Sequence, residues 1–281
     1  MIPIVLPSYN RATILPRTVD SVVCQDYRAW GLIIVDDSST DGMSEYLLSL
    51  DDPRTSVYHH SQNRGVTAAK TTGLDHLRGD WLTVFDSDDD MMLEALSVMM
   101  DYASHTGATA ITCNSMDSQT GRMMGIGATC DGRLAADEAA RCRGEHWGVT
   151  KTSLLGDLRF DERLPGFEGV LWQKINCIAR RYDVHRALRI CHTEGADRVT
   201  VTAHYASLAD KARVICELGE DRHYLHALRT LDPQGYRRTR LRVWVARPLT
   251  LVGVRLATAM IMPGPLRSVR VRVGAARPCA A

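Results

Sequence analysis

The chain has 281 residues, 45% of them hydrophobic and 24% charged, and its formal net charge is +1. These values are typical of a globular protein with a substantial core and exclude a disordered or fibrous chain. A net charge near zero also gives no global attraction to nucleic acid. The charge is nevertheless uneven, because no acidic residue follows Asp232 whereas ten arginines do.

The first hundred residues alternate short apolar runs with stretches of helical periodicity. Parallel strands need long crossover connections, so this alternation predicts βαβ units in an α/β fold. We predict strands over 2–6, 32–35, 56–59 and 81–85, and helices over 13–25, 43–49, 66–77 and 91–103.

The second half is less regular. The segment 243–262 is apolar but interrupted by Arg247, Pro248 and Arg255, which argues against a transmembrane helix. It could lie in a membrane interface, or pack on the rest of the protein or on a second subunit. We predict strands over 110–113, 123–128 and 184–191, and helices over 134–142, 170–181 and 203–231.

Eight scattered cysteines form no CxxC pair, so the spacing of a zinc site is missing. The apolar start of the chain is expected to be a first strand and not a secretion signal. Both observations favour reduced thiols and a cytoplasmic location, with peripheral attachment to the inner face of the membrane as a further option.

Polar segments follow four of the predicted strands directly: 7–10, 36–41, 63–65 and 86–90. Ligands of open α/β sheets bind at the carboxyl ends of the strands, so these segments are expected to gather on one rim. In the last of them, four carboxylates would repel one another unless a divalent cation such as Mg²⁺ or Mn²⁺ bound there. The alternative is a solvated acidic turn in which Asp89 and Asp90 cap the next helix.

The other rim segments offer groups suited to a nucleotide. Tyr9 has a face for a nucleobase, and Arg11 has a cation for phosphate. Asp37 could accept hydrogen bonds from a base or ribose, or could cap the following helix. Arg64 and Lys70 could face a diphosphate or solvent.

Together, four motifs resemble those of the family 2 glycosyltransferases, which have the GT-A fold. They are Pro7-Ser8-Tyr9-Asn10, Val35-Asp36-Asp37-Ser38-Ser39-Thr40-Asp41-Gly42, Asn63-Arg64-Gly65 with Ala68-Ala69-Lys70, and Phe85-Asp86-Ser87-Asp88-Asp89. The resemblance continues more weakly through 148–155, 160–164 and 168–172.

The resemblance implies a Rossmann-like, mainly parallel mixed sheet flanked by helices, followed by a helical C-terminal extension. It implies a nucleoside diphosphate sugar donor, whose base is most often uracil in this family, and Mn²⁺ or Mg²⁺ as cofactor. Asp88 would be the direct metal ligand, and His192 could touch the metal or phosphate from a mobile loop. The donor-binding residues would be Pro7, Ser8, Tyr9, Arg11, Asp37, Arg64, Lys70, Asp86 and Ser87.

The chain departs from the family pattern at the general base. Family members usually place an acidic pair before the helix that starts near Val170, and its Asp is the usual base. Here Glu168 matches the first member and Gly169 replaces the Asp. Glu168 could serve as the base or merely cap the helix, or an amine acceptor could need little help. The other candidate bases are Asp161, Glu162 and His146.

The predicted function is therefore metal-dependent, inverting transfer of a sugar to an acceptor hydroxyl or amine. The alternatives are a catalytically impaired sugar-nucleotide-binding or scaffold protein and a nucleotidyltransferase. The acceptor would be a small molecule, a glycan or a lipid-linked molecule, nucleic acid is not expected, and the extension could mediate homodimerisation or membrane contact. We predict a catalytic domain over 1–232, with a donor half over 1–105 and an acceptor half over 106–232, and an Arg-rich extension over 233–281.

Overall fold

The computed structural model describes residues 1–134, 138, 142, 144–164, 167–193, 208–231 and 233–251. The chain forms two compact units, an N-terminal unit over Met1–His204 and a C-terminal unit over Tyr205–Ala281. The predicted domain boundary at residue 232 stays a prediction.

The N-terminal unit alternates strands and helices as the sequence predicts. Its helices are α1 (Leu15–Val23), α2 (Met43–Leu48), α3 (Val66–Asp75), α4 (Ala95–Thr106) and α5 (Gly169–Asn176). Its strands are β1 (Ile2–Ser8), β2 (Trp30–Asp36), β3 (Thr55–His59), β4 (Trp81–Val84), β5 (Asp90–Met91), β6 (Ala110–Asp117), β7 (Gly132–Arg133), β8 (His146–Lys151) and β9 (Arg181–Cys191).

These strands form one mixed sheet in the order β3-β2-β1-β4-β8-β6-β9-β5, with β7 paired to β9. The pairs β3–β2, β2–β1, β1–β4 and β6–β9 are parallel, while β8 runs antiparallel to both β4 and β6. The antiparallel β8 between β4 and β6 makes these two strands point the same way. The carboxyl ends of β1, β2, β4 and β6 therefore lie on one rim.

The sheet is covered on both faces, which explains the unbroken apolar runs in β1 and β2. Successive strand residues point to opposite faces. Ile4 packs with Leu15 of α1 and Leu96 of α4 on one face, whereas Val5 packs with Leu74 of α3 and Leu171 of α5 on the other.

Some predicted elements differ from the structure, and one lies largely outside the described residues. The helix expected from residue 91 begins at Ala95, because Asp90 and Met91 pair with β9 instead. The strand expected over 123–128 is reduced to a single bridge between Met116 and Met123. The helix expected over 134–142 lies largely outside the described residues.

The C-terminal unit contains α6 (Leu208–Glu220), α7 (Arg222–Leu231) and α8 (Pro233–Leu251). The continuous helix expected over 203–231 breaks at Asp221, whose carboxylate accepts a hydrogen bond from the Tyr224 amide at 2.8 Å and so caps α7. Within the described part of the chain, no helix has the length and apolarity needed to cross a membrane.

Candidate active site

The rim at the carboxyl ends of β1 and β2 is built from two interlocked turns. Asn10, in the left-handed region at φ 52°, donates its amide to the Ser39 hydroxyl at 2.9 Å and accepts the Thr40 amide at 2.8 Å. Asp41 accepts the amides of Ala12 and Met43, so it satisfies the first amide of α2 from the residue before the N-cap. These cross-links hold the two predicted nucleotide-binding segments side by side.

Asp37 is buried at the centre of this rim. Its Oδ1 accepts the Arg64 amide at 2.8 Å and lies 2.6 Å from His60 Nδ1, while its Oδ2 accepts the Gly65 amide at 2.6 Å. Two carboxylate oxygens offer about four acceptor positions. These contacts use three of them, so the residue organises the β3–α3 turn and retains one position for a ligand.

The predicted donor-binding residues of the first turn differ in their exposure. Pro7 and Ser8 are buried, and the Ser8 hydroxyl contacts the Met43 sulfur at 3.1 Å. Tyr9 is 42% exposed, which leaves its ring available for stacking. The Arg11 guanidinium contacts the Asn10 carbonyl at 3.4 Å.

Lys70 lies between Asp86 of the acidic segment 86–90 and Glu168, the candidate base. Its buried ammonium lies 3.1 Å from Asp86 Oδ1 and 3.6 Å from Glu168 Oε1. Burial disfavours the charged ammonium, but the negative charges of Asp86 and Glu168 outweigh it and raise the pKa of Lys70. The side chain is therefore a permanent cation between two carboxylates.

Glu168 stands at the N-cap of α5 but makes no side-chain capping hydrogen bond. Its side chain therefore does not cap the helix through a hydrogen bond, and its carboxylate instead faces Lys70. The other candidate bases have different partners. Glu162 binds the Arg64 guanidinium through both oxygens at 3.0 Å, Asp161 binds Arg163, and the His146 ring contacts Ile126 and Asp183.

A second buried cation, Arg189 of β9, contacts the acidic segment 86–90 and binds the Asp86 oxygen that Lys70 does not. Its Nη1 lies 3.6 Å from Asp86 and 3.5 Å from Asp89, its Nη2 lies 2.8 Å from Glu145, and its Nε donates to Ser115. Burial opposes the charge of this guanidinium, yet Asp89 and the other acidic groups raise its pKa. Asp86 thus lies between two cations.

Asp89 contacts Arg189 and Cys191 of β9, and Asp90 contacts Arg17 of α1 and His192. Neither side chain caps the next helix, which corrects the predicted capping role. Burial raises the pKa of Asp89 to about 7; Arg189 opposes this shift, whereas Asp86 and Asp88 add to it. Asp89 also accepts hydrogen bonds from the Cys191 thiol and the His192 amide. The cause is the pairing of β5 with β9, which takes these residues away from the helix terminus.

Asp88 and His192, the predicted metal ligands, lie in the same part of the rim. The Asp88 carbonyl accepts a hydrogen bond from Arg17 Nη2 at 2.7 Å, and Arg17 Nε also binds Asp90. His192 Nε2 lies 2.9 Å from the other oxygen of Asp90. Ser87 is buried, and its carbonyl accepts the Thr18 hydroxyl at 3.0 Å.

The acidic segment suits a cation that shares its ligands with phosphate. Among the described residues, no group of three or more His, Cys, Asp or Glu side chains is arranged to enclose a metal ion. Mg²⁺ and related ions are commonly held by one or two carboxylates together with phosphate oxygens, so such an enclosure is not required.

Sequence reasoning missed Arg189 and Arg17. A charged residue inside the predicted strand 184–191 was the available signal for Arg189, since a buried guanidinium needs acidic partners. Arg17 lies on α1, far along the chain from Asp90, and helical periodicity alone gives no indication of that contact.

Residues 4–123 match the family model described as glycosyl transferase family 2. The GalNAc(5)-diNAcBac-PP-undecaprenol beta-1,3-glucosyltransferase of Campylobacter jejuni is 29% identical over 210 residues, which span 71% of this chain and 67% of that protein. Matches to two further relatives, the putative colanic acid biosynthesis glycosyl transferase WcaA of Escherichia coli and the succinoglycan biosynthesis protein ExoO of Rhizobium meliloti, cover 37% and 35% of those proteins.

Two solved structures share the fold. Staphylococcus aureus TarS 1-349 in complex with UDP-GlcNAc has a TM-score of 0.70 and 15% identity, covering 93% of this chain and 76% of that one. The mannosyltransferase PcManGT from Pyrobaculum calidifontis, in complex with GDP-Man and Mn²⁺, has a TM-score of 0.57 and 18% identity, covering 92% and 78%. The predicted GT-A fold is confirmed, and residues 4–123 are similar to glycosyltransferase family 2.

Proposed function

We propose that the protein is a metal-dependent glycosyltransferase that moves a sugar, with inversion, from a nucleoside diphosphate sugar to an acceptor hydroxyl or amine. The observation that carries this proposal is the position of Lys70 between Asp86 and Glu168. It brings the donor-binding acidic segment and the candidate base to one place on the rim. Support comes from the match of residues 4–123 to the family 2 model and from the fold, which is that of solved glycosyltransferases.

The donor nucleotide would bind across the first two turns. Tyr9 exposes a ring that could stack on the base, and Asp37 retains an acceptor position for a base N–H. UDP is the first choice because TarS binds UDP-GlcNAc, and GDP is the second because PcManGT binds GDP-Man. Arg11, Arg64 and Lys70 supply cations for the ribose and diphosphate side.

Asp88 would hold Mn²⁺ or Mg²⁺, with Asp86 beside it at the ribose and His192 as a further contact. Such an ion supplies Lewis-acid stabilisation of the negative charge that develops on the leaving diphosphate. Lys70 and Arg189 fix the Asp86 carboxylate from two sides, so the acidic segment has little freedom to move when the donor binds. This preorganisation favours the transition state.

Glu168 would accept the proton of the acceptor hydroxyl as the acceptor oxygen attacks the anomeric carbon from the side opposite the leaving group. Its side chain is 20% exposed, so it is sheltered but reachable. An amine acceptor would depend less on this carboxylate because an amine is the stronger nucleophile.

A specific feature favours a second candidate, a sugar-nucleotide-binding protein without catalysis. Gly169 stands where the family pattern implies an acidic side chain. The two functions differ in one measurement: an enzyme releases the nucleoside diphosphate when donor and acceptor are both present, whereas a binding protein does not. A nucleotidyltransferase is disfavoured because 7–11 lacks the glycines of a phosphate loop.

The acceptor that we propose is a lipid-linked saccharide. The support is the Campylobacter jejuni relative, whose name describes an undecaprenol-linked acceptor. Such an acceptor agrees with the expected location at the cytoplasmic face of a membrane. Small-molecule and non-lipid glycan acceptors would be distinguished by assaying each class with one donor.

The test is a thermal-shift screen of UDP, GDP and their sugar conjugates with and without Mn²⁺. A ligand that binds the native state raises the melting temperature in proportion to its affinity and concentration. We expect a nucleotide to stabilise the protein only when metal is present. If no nucleotide shifts the melting temperature with metal, the proposed function is wrong.

Two matched variants sharpen this test. Asp88→Ala should abolish the metal-dependent shift, because it removes the proposed ligand. Asp101→Ala should retain most of it, because Asp101 is an exposed carboxylate of α4 whose ion-pair partner is His105 on the same helix. Equal losses in the two variants would contradict the assignment of the metal to Asp88.

A further inference from the structure

One side of helix α8 packs against helix α6 of the C-terminal unit. Ala246 of α8 and Ala212 of α6 are fully buried in a small cluster with Ile215 and Cys216. A Cβ on Gly219 of α6 would overlap the Val243 side chain, so the two helices approach closely here. This side of α8 is therefore its packed face.

The opposite side of α8 exposes two large apolar residues. Leu241 is 63% exposed and Trp244 is 75% exposed. Residues three apart lie on the same face of a helix, so these two side chains are neighbours. Leu241 and Trp244 thus form an apolar patch on the side of α8 opposite its packed face, and no other described residue covers this patch.

Cations surround this pair. The sequence from 233 to 251 contains no Asp or Glu. All five of its arginines are exposed, and one of them, Arg247, binds Glu220 of α6 at 2.8 Å. The other four are Arg237, Arg238, Arg240 and Arg242. We refer to these four arginines with Leu241 and Trp244 as the α8 outer face.

We propose that the α8 outer face docks on an anionic lipid surface. Basic side chains near a membrane bind the phosphates of anionic lipids, and tryptophan prefers the headgroup region. The apolar part is only two side chains, so attachment depends mainly on charge and is reversible. This inference goes beyond the proposed function and does not depend on the sugar donor.

The composition of the outer face argues against two other occupants. A second copy of the same face would bring eight arginines together without an acidic group from α8 to offset them, so charge opposes self-association. Single-stranded nucleic acid would use the arginines and Trp244, but gains nothing from the exposed aliphatic Leu241. A lipid surface uses all three kinds of side chain.

Tryptophan fluorescence offers a direct readout. Of the five tryptophans, Trp30, Trp81 and Trp147 are buried, Trp172 is half-buried and Trp244 is exposed. We would titrate the full chain with phosphatidylcholine vesicles, with and without about 30 mol% phosphatidylglycerol. A blue shift and co-flotation are expected only with the anionic vesicles, and about 0.5 M NaCl should reverse both.

Variants test the face itself. The double variant Leu241→Ser, Trp244→Ser should lower the partition coefficient roughly tenfold and remove the blue shift. A second variant, with the four arginines changed to Gln, should lose flotation. Leu48→Ser is the matched control, because Leu48 is 85% exposed on α2 and should leave binding unchanged. Melting temperatures confirm that each variant is folded.

The proposal is overturned if the outer-face variants float as well as the wild type, or if neutral vesicles bind equally well. It is also overturned if a single-stranded oligonucleotide binds at low salt with an affinity that depends on Trp244 while anionic vesicles do not bind. Concentration-dependent dimerisation that the double variant abolishes, without vesicle binding, would assign the face to a second copy. Nucleotide-induced thermal shifts are independent of all these results.

Discussion

Replacement of Lys70 by methionine removes the cation between Asp86 and Glu168 and retains most of the side-chain volume. The Lys70 side chain is 10% exposed, and its ammonium lies 3.1 Å and 3.6 Å from the two carboxylates. Breaking a fully buried ion pair costs about 3–5 kcal/mol. Because Asp86 is 44% exposed, water offsets part of this cost, and we expect Lys70→Met to lower the free energy of unfolding by about 1–3 kcal/mol.

Urea unfolding measures this change directly. Lys211→Met, on α6 in the C-terminal unit, is the control and should change the unfolding free energy by less than about 0.5 kcal/mol. The raised pKa of Lys70 keeps its ammonium charged at every pH below the ordinary range of a lysine pKa. The loss of unfolding free energy in Lys70→Met should therefore be constant between neutral pH and about pH 9. A Lys70→Met variant as stable as the control would refute the reasoning.

A double variant separates the ion pair from simple loss of packing. Adding Asp86→Asn removes one of the carboxylates that Lys70→Met leaves without its cation. If the pair is the cause, the double variant should be less destabilised than the sum of the single variants, by about 1 kcal/mol. Additive losses would assign the effect of Lys70→Met to packing alone.

Three further predictions concern the base and the sheet. Glu168→Gln should lower kcat by about 10²–10⁴-fold while leaving donor affinity within about threefold, and near-normal turnover would exclude Glu168 as base. Gly169→Asp should be stabilising by about 0.5–1 kcal/mol, because a Cβ there has open space and an acidic side chain suits the start of α5; a lower melting temperature would contradict this. Gly148→Ala should lower the unfolding free energy by about 2 kcal/mol or more, because its Cβ would overlap the Ile111 carbonyl, whereas Gly132→Ala has open space and serves as the control in urea unfolding.

The sequence by itself determined most of the first half of the fold. Apolar runs at β1, β2 and β4 must be covered on both faces, and helix-length connections make them parallel, so their carboxyl ends share a rim. This local logic was sufficient to bring the segments at Tyr9, Asp37 and Asp86 together. It was less successful at the helix predicted from residue 91, because the pairing of Asp90 and Met91 with β9 is a long-range contact.

Only the tertiary structure decided which charges meet within that rim. Lys70 and Glu168 are about a hundred positions apart in the sequence, as are Asp89 and Arg189, and no periodicity relates them. Strand and helix patterns reflect neighbours within a few residues, whereas ion pairs across a sheet depend on strand order and register. The sequence therefore determined where the acidic segment lies, and the packing of α3, α5 and β9 around it decided which cations hold it.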